Sequence, residues 1–82
     1  MRLREDVSAV ETDGGGVVLD GRAGTYWQLN NSGWLALNAV LQSGQDVAAA
    51  TLVARYSVAY DKAIADVRSL IDRLFEAELV LR

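Results

Sequence analysis

The chain is organised around the stretch Gly24-Thr25-Tyr26-Trp27-Gln28-Leu29-Asn30-Asn31-Ser32-Gly33, in which a strand signal runs almost directly into a helix-start signal. Its first half contains a threonine and two aromatic residues, which favour a pleated and half-buried surface. Side chains alternate along a strand, so Trp27 and Leu29 point to one face and Tyr26 and Gln28 to the other. We therefore predict a strand that ends where a helix begins.

Two further strands are predicted before this stretch, at residues 6–10 and 17–20. Glycine-rich segments at 11–16 and 21–24 separate the strands, and glycine supplies the positive φ angles that tight turns need. Short strands joined by such turns are typical of an antiparallel meander. The N-terminal part of the chain therefore predicts a three-stranded antiparallel sheet, with its third strand at 25–29.

Three helices are predicted after the sheet, at residues 31–42, 46–56 and 60–78. The last residues, 79–81, can add a short strand or simply cover the core. This order of elements predicts a single α+β domain over residues 1–82. The domain is expected to be winged-helix-like in outline, with a three-stranded antiparallel sheet followed by three helices.

Polar residues and glycine mark the boundary regions of the first two helices. Asn30 or Ser32 can cap the first helix, because a short polar side chain accepts a hydrogen bond from an unpaired backbone N–H group. Gly44 is predicted to end the first helix, and Asp46 is predicted to cap the second. These signals leave only a very short connection between the two helices.

The third helix carries a broad apolar arc, which leaves two interpretations of its packing. The arc can pack the core with its centre and line a groove with one edge, or it can be buried against two elements. The opposite side of the helix is rich in charged residues. The apolar residues of the arc are Ala63, Ile64, Val67, Leu70, Ile71, Leu74 and Phe75.

The composition argues against several classes of function. The chain has 82 residues with a net charge of −3, and it contains neither histidine nor cysteine. It therefore lacks two common catalytic and metal-binding residue types, and we predict no enzymatic activity, no cofactor and no metal site. The acidic third helix would repel DNA, and no apolar run is long enough to span a membrane. Without cysteine the fold needs no oxidising compartment, so we expect a cytoplasmic protein.

Two motifs follow one another in the chain from Tyr26 onward. The first is Tyr26-Trp27-Gln28-Leu29-Asn30-Asn31-Ser32-Gly33, and the second places Asp66-Val67 before Leu70-Ile71 and Leu74. Between them lie a helix that ends at Gly44, then Tyr56-Ser57-Val58 and Ala63, and Glu78-Leu79-Val80 closes the pattern. In order and spacing these motifs resemble the PqqD family, which supplies the precursor-peptide recognition element for ribosomally made, post-translationally modified peptides. A chain of this size without a fused enzyme resembles the free-standing members of lasso-peptide biosynthesis.

The resemblance implies a binding mode. Members of the family hold an extended leader peptide as an added antiparallel strand on the third strand, in a groove closed by the third helix. The side chains of Trp27 and Leu29 are expected under the strand, in the core. Ile71 and Phe75 form the alternative groove edge, because a helical wheel does not show which side of the helix faces the strand. The predicted peptide-binding residues are Thr25, Tyr26, Trp27, Gln28 and Leu29 of the third strand and Asp66, Val67, Leu70, Arg73 and Leu74 of the third helix.

The resemblance also implies a role as a non-catalytic adaptor. Such a protein would bind the leader of a precursor peptide, of the lasso type, through aromatic and aliphatic anchors (Tyr, Pro and Leu). It would deliver the precursor to a leader peptidase, with a cyclase as a second candidate partner.

The alternative function is a small winged-helix DNA-binding regulator, which the negative charge disfavours. If Leu70 lines the groove, a Leu70→Glu substitution should weaken leader binding while the fold is retained.

Overall fold

The computed structural model describes residues 1–81, in which the chain forms five strands and three helices. In chain order these elements are β1 (Arg2–Leu3), β2 (Val7–Thr12), β3 (Gly15–Asp20), β4 (Thr25–Leu29), α1 (Asn31–Ser43), α2 (Gln45–Tyr56), α3 (Tyr60–Glu76) and β5 (Val80–Leu81). The predicted α+β class, with a three-stranded antiparallel sheet followed by three helices, is confirmed. A second sheet, made by β1 and β5, was not predicted.

The main sheet has the strand order β2-β3-β4, and both pairings are antiparallel. Val18 of β3 lies opposite Trp27 of β4, and Leu19 lies opposite Tyr26. Val18 is buried and Tyr26 is exposed, so these two rows lie on opposite faces of the sheet. The predicted alternation along β4 is therefore confirmed, and β4 forms one edge of the sheet.

The turn between β2 and β3 is shorter than predicted. Only residues 13 and 14 form it, because Gly15 and Gly16 are already paired in β3. A Cβ atom on Gly16 would collide with the indole ring of Trp34 in α1. A Cβ atom on Gly15, whose φ is 141°, would collide with the carbonyl oxygen of Leu29. The close approach of Trp34 and Leu29 therefore requires glycine at these two positions.

The boundaries of α1 agree with the predicted signals, whereas the start of α2 does not. Asn30 is the N-cap of α1, and its side-chain oxygen accepts a hydrogen bond from the N–H of Gly33 at 2.8 Å. Gly44 ends α1 with a φ of 92° and is also the N-cap of α2. The predicted cap at Asp46 is wrong, because this residue lies within the first turn of α2. There its negative charge interacts favourably with the positive end of the helix dipole.

Helix α3 ends at Glu76, two residues before the predicted end. Glu78 has a positive φ of 60°, a backbone conformation that does not continue a right-handed helix. The chain then turns into β5, which confirms the short C-terminal strand as the correct one of the two predicted alternatives. None of the helices in residues 1–81 is both long and apolar enough to cross a membrane.

The core lies between the inner face of the main sheet and the three helices. Helix α1 packs on β3 and β4, and it also contacts both other helices. Helix α3 contributes four buried residues, spaced three or four apart, as an amphipathic helix requires. The largest fully buried side chains are Leu37, Leu74, Val18 and Val67.

Strands β1 and β5 join the two ends of the described chain. Arg2 lies opposite Leu81 and Leu3 lies opposite Val80 in an antiparallel pair. The backbone N–H of Arg4 then donates to the carbonyl oxygen of Leu79 at 2.8 Å. This small sheet holds the N-terminal segment against the end of α3.

An ionic cluster extends this junction to the main sheet. Arg4 donates through Nη2 to Asp20 Oδ1 and through Nε to Asp6 Oδ1, both at 2.6 Å, and it also donates to the carbonyl oxygen of Glu78. Asp20 accepts two more hydrogen bonds, from the N–H groups of Arg22 and Ala23 in the turn between β3 and β4. We call Arg4, Asp6 and Asp20 the Arg4 clamp.

Candidate functional site

A cleft of about 560 Å³ lies beside the C-terminal half of β4. One side of α3 forms its opposite wall, and the start of α1 and the end of α2 close one end. The lining residues are Gln28, Leu29, Asn30, Ser32, Gly33, Ala36, Leu52, Tyr56, Val58, Lys62, Asp66, Ser69, Leu70 and Arg73. The cleft thus combines contributions from β4 and all three helices.

The strand that borders the cleft is paired on one side only. Within residues 1–81, β3 is the sole strand that pairs with β4. A strand at the edge of a sheet leaves a row of backbone N–H and C=O groups without partners in the sheet. The edge of β4, which is five residues long (Thr25–Leu29), can therefore accept another extended chain.

The cleft has an apolar floor and a polar rim. Leu29, Leu52 and Leu70 belong to the buried core and reach the cleft from below. Lys62 and Asp66 lie on the rim, and Lys62 Nζ is 3.4 Å from Asp66 Oδ2. Such a surface suits a ligand that buries a few apolar side chains and keeps a hydrated outer side.

Arg73 marks the other end of the cleft. Its guanidinium carbon lies 5.7 Å from the centroid of the Trp27 ring, within the range of a cation–π interaction. A further depression of about 370 Å³ at this end is lined by Trp27, Arg73, Glu76 and Ala77. Among the residues described, Arg73 forms no ion pair with an acidic side chain.

The structure brings five of the ten predicted site residues together in this cleft, namely Gln28, Leu29, Asp66, Leu70 and Arg73. Trp27 lies beneath Arg73 at the end of the cleft. Thr25 and Tyr26 lie on the same strand but do not line it, so their predicted role depends on backbone pairing alone. The alternative helix edge, Ile71 and Phe75, does not line the cleft either.

Two predicted groove residues are corrected by the structure. Val67 and Leu74 are both 0% exposed. They lie on the buried stripe of α3 and hold the helix onto the core, so they cannot form an open wall. Leu70 lines the cleft but is only 7% exposed. A Leu70→Glu substitution would therefore place a charge in the core and disturb the fold, contrary to our expectation.

The contributions of α1 and α2 to the cleft were not predicted. Tyr56 ends α2 and is 41% exposed, and Val58 follows it in the short connection to α3. Ser69 lies on the exposed side of α3 between the predicted groove residues. The sequence signal for this part of the site was the segment Tyr56-Ser57-Val58 of the family pattern. That pattern did not show what Tyr56 faces, because the helix–helix arrangement decides it.

The fold and the cleft define a small α+β domain that places an unpaired strand edge beside a partly apolar groove. The family model described as coenzyme PQQ synthesis protein D (PqqD) matches residues 15–80 of this chain. The chain therefore belongs to the PqqD family, and the resemblance predicted from its motifs is confirmed.

Two solved structures share this fold over nearly the whole chain. Lasso peptide synthetase B1 complexed with the leader peptide is 36% identical, with a TM-score of 0.89, covering 99% of this chain and 96% of that chain. TbiB1 in complex with the TbiA(beta) leader peptide is 26% identical, with a TM-score of 0.83, covering 96% and 93%. No curated protein matches this chain.

Proposed function

We propose that this chain is a non-catalytic adaptor that binds the leader of a ribosomally made precursor peptide of the lasso type. The observation that carries the proposal is the unpaired edge of β4 beside the cleft. The proposal is supported by the 36% identity to a lasso peptide synthetase B1 whose structure was solved with a leader peptide.

The proposed binding mode is addition of a leader strand to the edge of β4. Main-chain hydrogen bonds would provide affinity, and side-chain pockets would provide selectivity. The apolar floor formed by Leu29, Leu52 and Leu70 suits aromatic or aliphatic leader anchors. Thr25–Leu29 would supply the pairing backbone, and Asp66, Ser69 and Arg73 would face the bound leader from α3.

The proposed adaptor acts in the cytoplasm and passes the captured precursor to a leader peptidase, with a cyclase as a second candidate partner. Capture by the leader alone supports such a handover, because it leaves the remainder of the precursor unbound and open to a second protein. Membership of the PqqD family supports the first step of this handover, which is leader binding.

A titration with synthetic leader peptides tests the proposal. One peptide carries the Tyr, Pro and Leu anchors and a second carries alanine at the same positions, and binding is followed by the fluorescence of Trp27 and Trp34. We expect saturable binding that requires the anchors. The substitution Ser69→Glu should weaken binding by about tenfold, because it places a charge beside the apolar floor.

The matched control is Ser8→Glu, which makes the same chemical change at an exposed position of β2. It should leave leader binding unchanged. Equal binding of both peptides, or no binding of either, would contradict the proposed function.

N-methylation of alternate backbone amides of the leader tests strand addition separately, because it removes donors without changing the side chains. Unchanged affinity for every methylated peptide would exclude strand pairing.

A further inference from the structure

We infer that the cleft accepts an acidic leader side chain at the Arg73 end, on the C-terminal side of the apolar anchors. This inference rests on the proposed function and adds to it a charge requirement. The acidic side chain would lie in the C-terminal part of the leader, next to the segment of the precursor that is processed.

The direction follows from the arrangement of β4 and α3. Leu29, at the end of β4, lies towards the end of the cleft closed by Tyr56, whereas Trp27 lies under Arg73. The binding mode that the PqqD resemblance implies is antiparallel, as are both pairings within the main sheet. A leader strand added to β4 in this way begins near Tyr56 and leaves the cleft past Arg73.

The charges along the cleft are distributed unevenly. At the Tyr56 end, Lys62 and Asp66 neutralise each other across 3.4 Å. At the other end, Arg73 is held over the Trp27 ring and forms no ion pair within residues 1–81. The guanidinium without an ion-pair partner among the described residues thus lies where the leader would leave the cleft, at the end that Glu76 also lines.

The chemistry of Arg73 favours a carboxylate over other leader groups. A guanidinium presents several N–H donors in one plane, which match the two oxygens of a carboxylate. The ring of Trp27 restricts the position of the guanidinium, so less side-chain freedom is lost on binding. Glu76 lines the same end and would partly oppose an incoming acid. A leader Glu or Asp that points towards α3 at this position should therefore gain affinity from Arg73 and lose some of it to Glu76.

A glutamate scan of the leader tests the inference. The parent peptide has the Tyr, Pro and Leu anchors and uncharged residues elsewhere, and each non-anchor position is replaced in turn by Glu or by Lys. We expect Glu to strengthen binding at one or two positions C-terminal to the anchors, and Lys to weaken it there. Because exposed ion pairs are weak, the two peptides should differ by about fivefold, and the difference should shrink in high salt.

Variants of the protein assign this preference to Arg73. Arg73→Glu should reverse it, so that the Lys peptide binds more tightly, and Arg73→Gln should abolish it. Glu76→Gln should increase the affinity for the Glu peptide. The matched control is Arg68→Glu, a charge reversal at an exposed position of α3 that does not line the cleft, and it should leave the order of the peptides unchanged. Circular dichroism of each variant verifies the fold.

The outcomes separate this inference from the proposed function. If the uncharged parent peptide does not bind, the proposed function fails and this inference fails with it. If the parent binds but Glu and Lys peptides are equivalent at every position, the charge requirement is wrong. If Glu strengthens binding only N-terminal to the anchors, the direction is wrong. If Arg73→Glu leaves the preference unchanged, another residue is responsible for it.

Discussion

The Arg4 clamp and the cleft differ in whether their polar groups have partners inside the protein. In the clamp, the Asp20 carboxylate accepts hydrogen bonds from the Arg4 side chain and from two backbone N–H groups. At the cleft, the edge of β4 pairs with no further strand in residues 1–81, and Arg73 has no acidic partner there. The polar groups of the clamp are thus paired within the protein, whereas the β4 edge and Arg73 lack such partners in residues 1–81.

This difference indicates a division of roles. Every buried side-chain nitrogen and oxygen in the described part of the chain has a hydrogen-bond partner, so polar groups taken out of water are satisfied. Groups without partners remain only where solvent, or a ligand, can reach them. We therefore expect substitutions in the clamp to change stability and substitutions in the cleft to change binding.

The largest effect on stability is expected from Asp20→Ala. This change removes the acceptor for three donors and leaves Arg4 without one of its two carboxylate partners. We expect the melting temperature to fall by about 10 °C. Leader affinity, measured well below the new melting temperature, should be unchanged.

The control for this prediction is Asp72→Ala, which removes a carboxylate from the exposed side of α3. It should change the melting temperature little, because Asp72 forms no ion pair within residues 1–81. A similar melting temperature for both variants would show that the clamp does not stabilise the fold. Loss of leader binding by folded Asp20→Ala would show that the two regions are coupled.

An intermediate effect, on binding alone, is expected from Tyr56→Ala. Tyr56 closes one end of the cleft, and loss of its ring should weaken leader binding by about tenfold. Tyr60→Ala is the matched control, because Tyr60 is 46% exposed, close to the 41% of Tyr56, and does not line the cleft. Equal affinities of the two variants, measured by the same titration, would place the leader away from Tyr56.

The smallest effect on stability is expected from lowering the pH. The backbone N–H of Ala23, with help from Arg22 and Arg4, holds the pKa of Asp20 below its usual value, and Arg4 lowers the pKa of Asp6. Because these pKa values are lower in the folded than in the unfolded state, the stabilisation is complete above the unfolded pKa of about 3.9. It is lost as the pH falls through the folded pKa.

Thermal unfolding between pH 2 and pH 7 checks this expectation. The melting temperature should be nearly constant above about pH 4 and should decrease below it. In Asp20→Asn the decrease should be shallower, because one of the titrating groups is gone. An equally steep decrease in this variant would assign the acid sensitivity to other carboxylates.

Local sequence signals predicted most of the fold. The cap at Asn30, the strong β-formers of Thr25–Leu29 and the stop at Gly44 act through neighbouring residues, and the structure confirms all three. The place of Gly15 and Gly16 within β3 was missed because the residues that approach them closely, Leu29 and Trp34, are far away in the chain. The β1–β5 pair was missed for the same reason.

The candidate site was only partly predictable. Periodicity identified α3 as a wall, but it could not distinguish the buried centre of the helix, with Val67 and Leu74, from the rim with Asp66 and Arg73. The exposure of neighbouring positions on a helical wheel can be assigned only once the packing partners of the helix are known. Tyr56 was missed because no local pattern relates the end of α2 to the edge of β4.

The pairing of Arg2 with Leu81 has a kinetic consequence. The helices and the hairpins form through contacts between residues close in sequence, whereas this pair must close a loop that spans nearly the entire chain. We therefore expect the β1–β5 junction, with the hydrogen bond from Arg4 to the carbonyl oxygen of Glu78, to assemble after the folding transition state. Interactions formed so late do little to accelerate folding, but they slow unfolding. The β1–β5 junction would thus act mainly to prolong the lifetime of the folded protein.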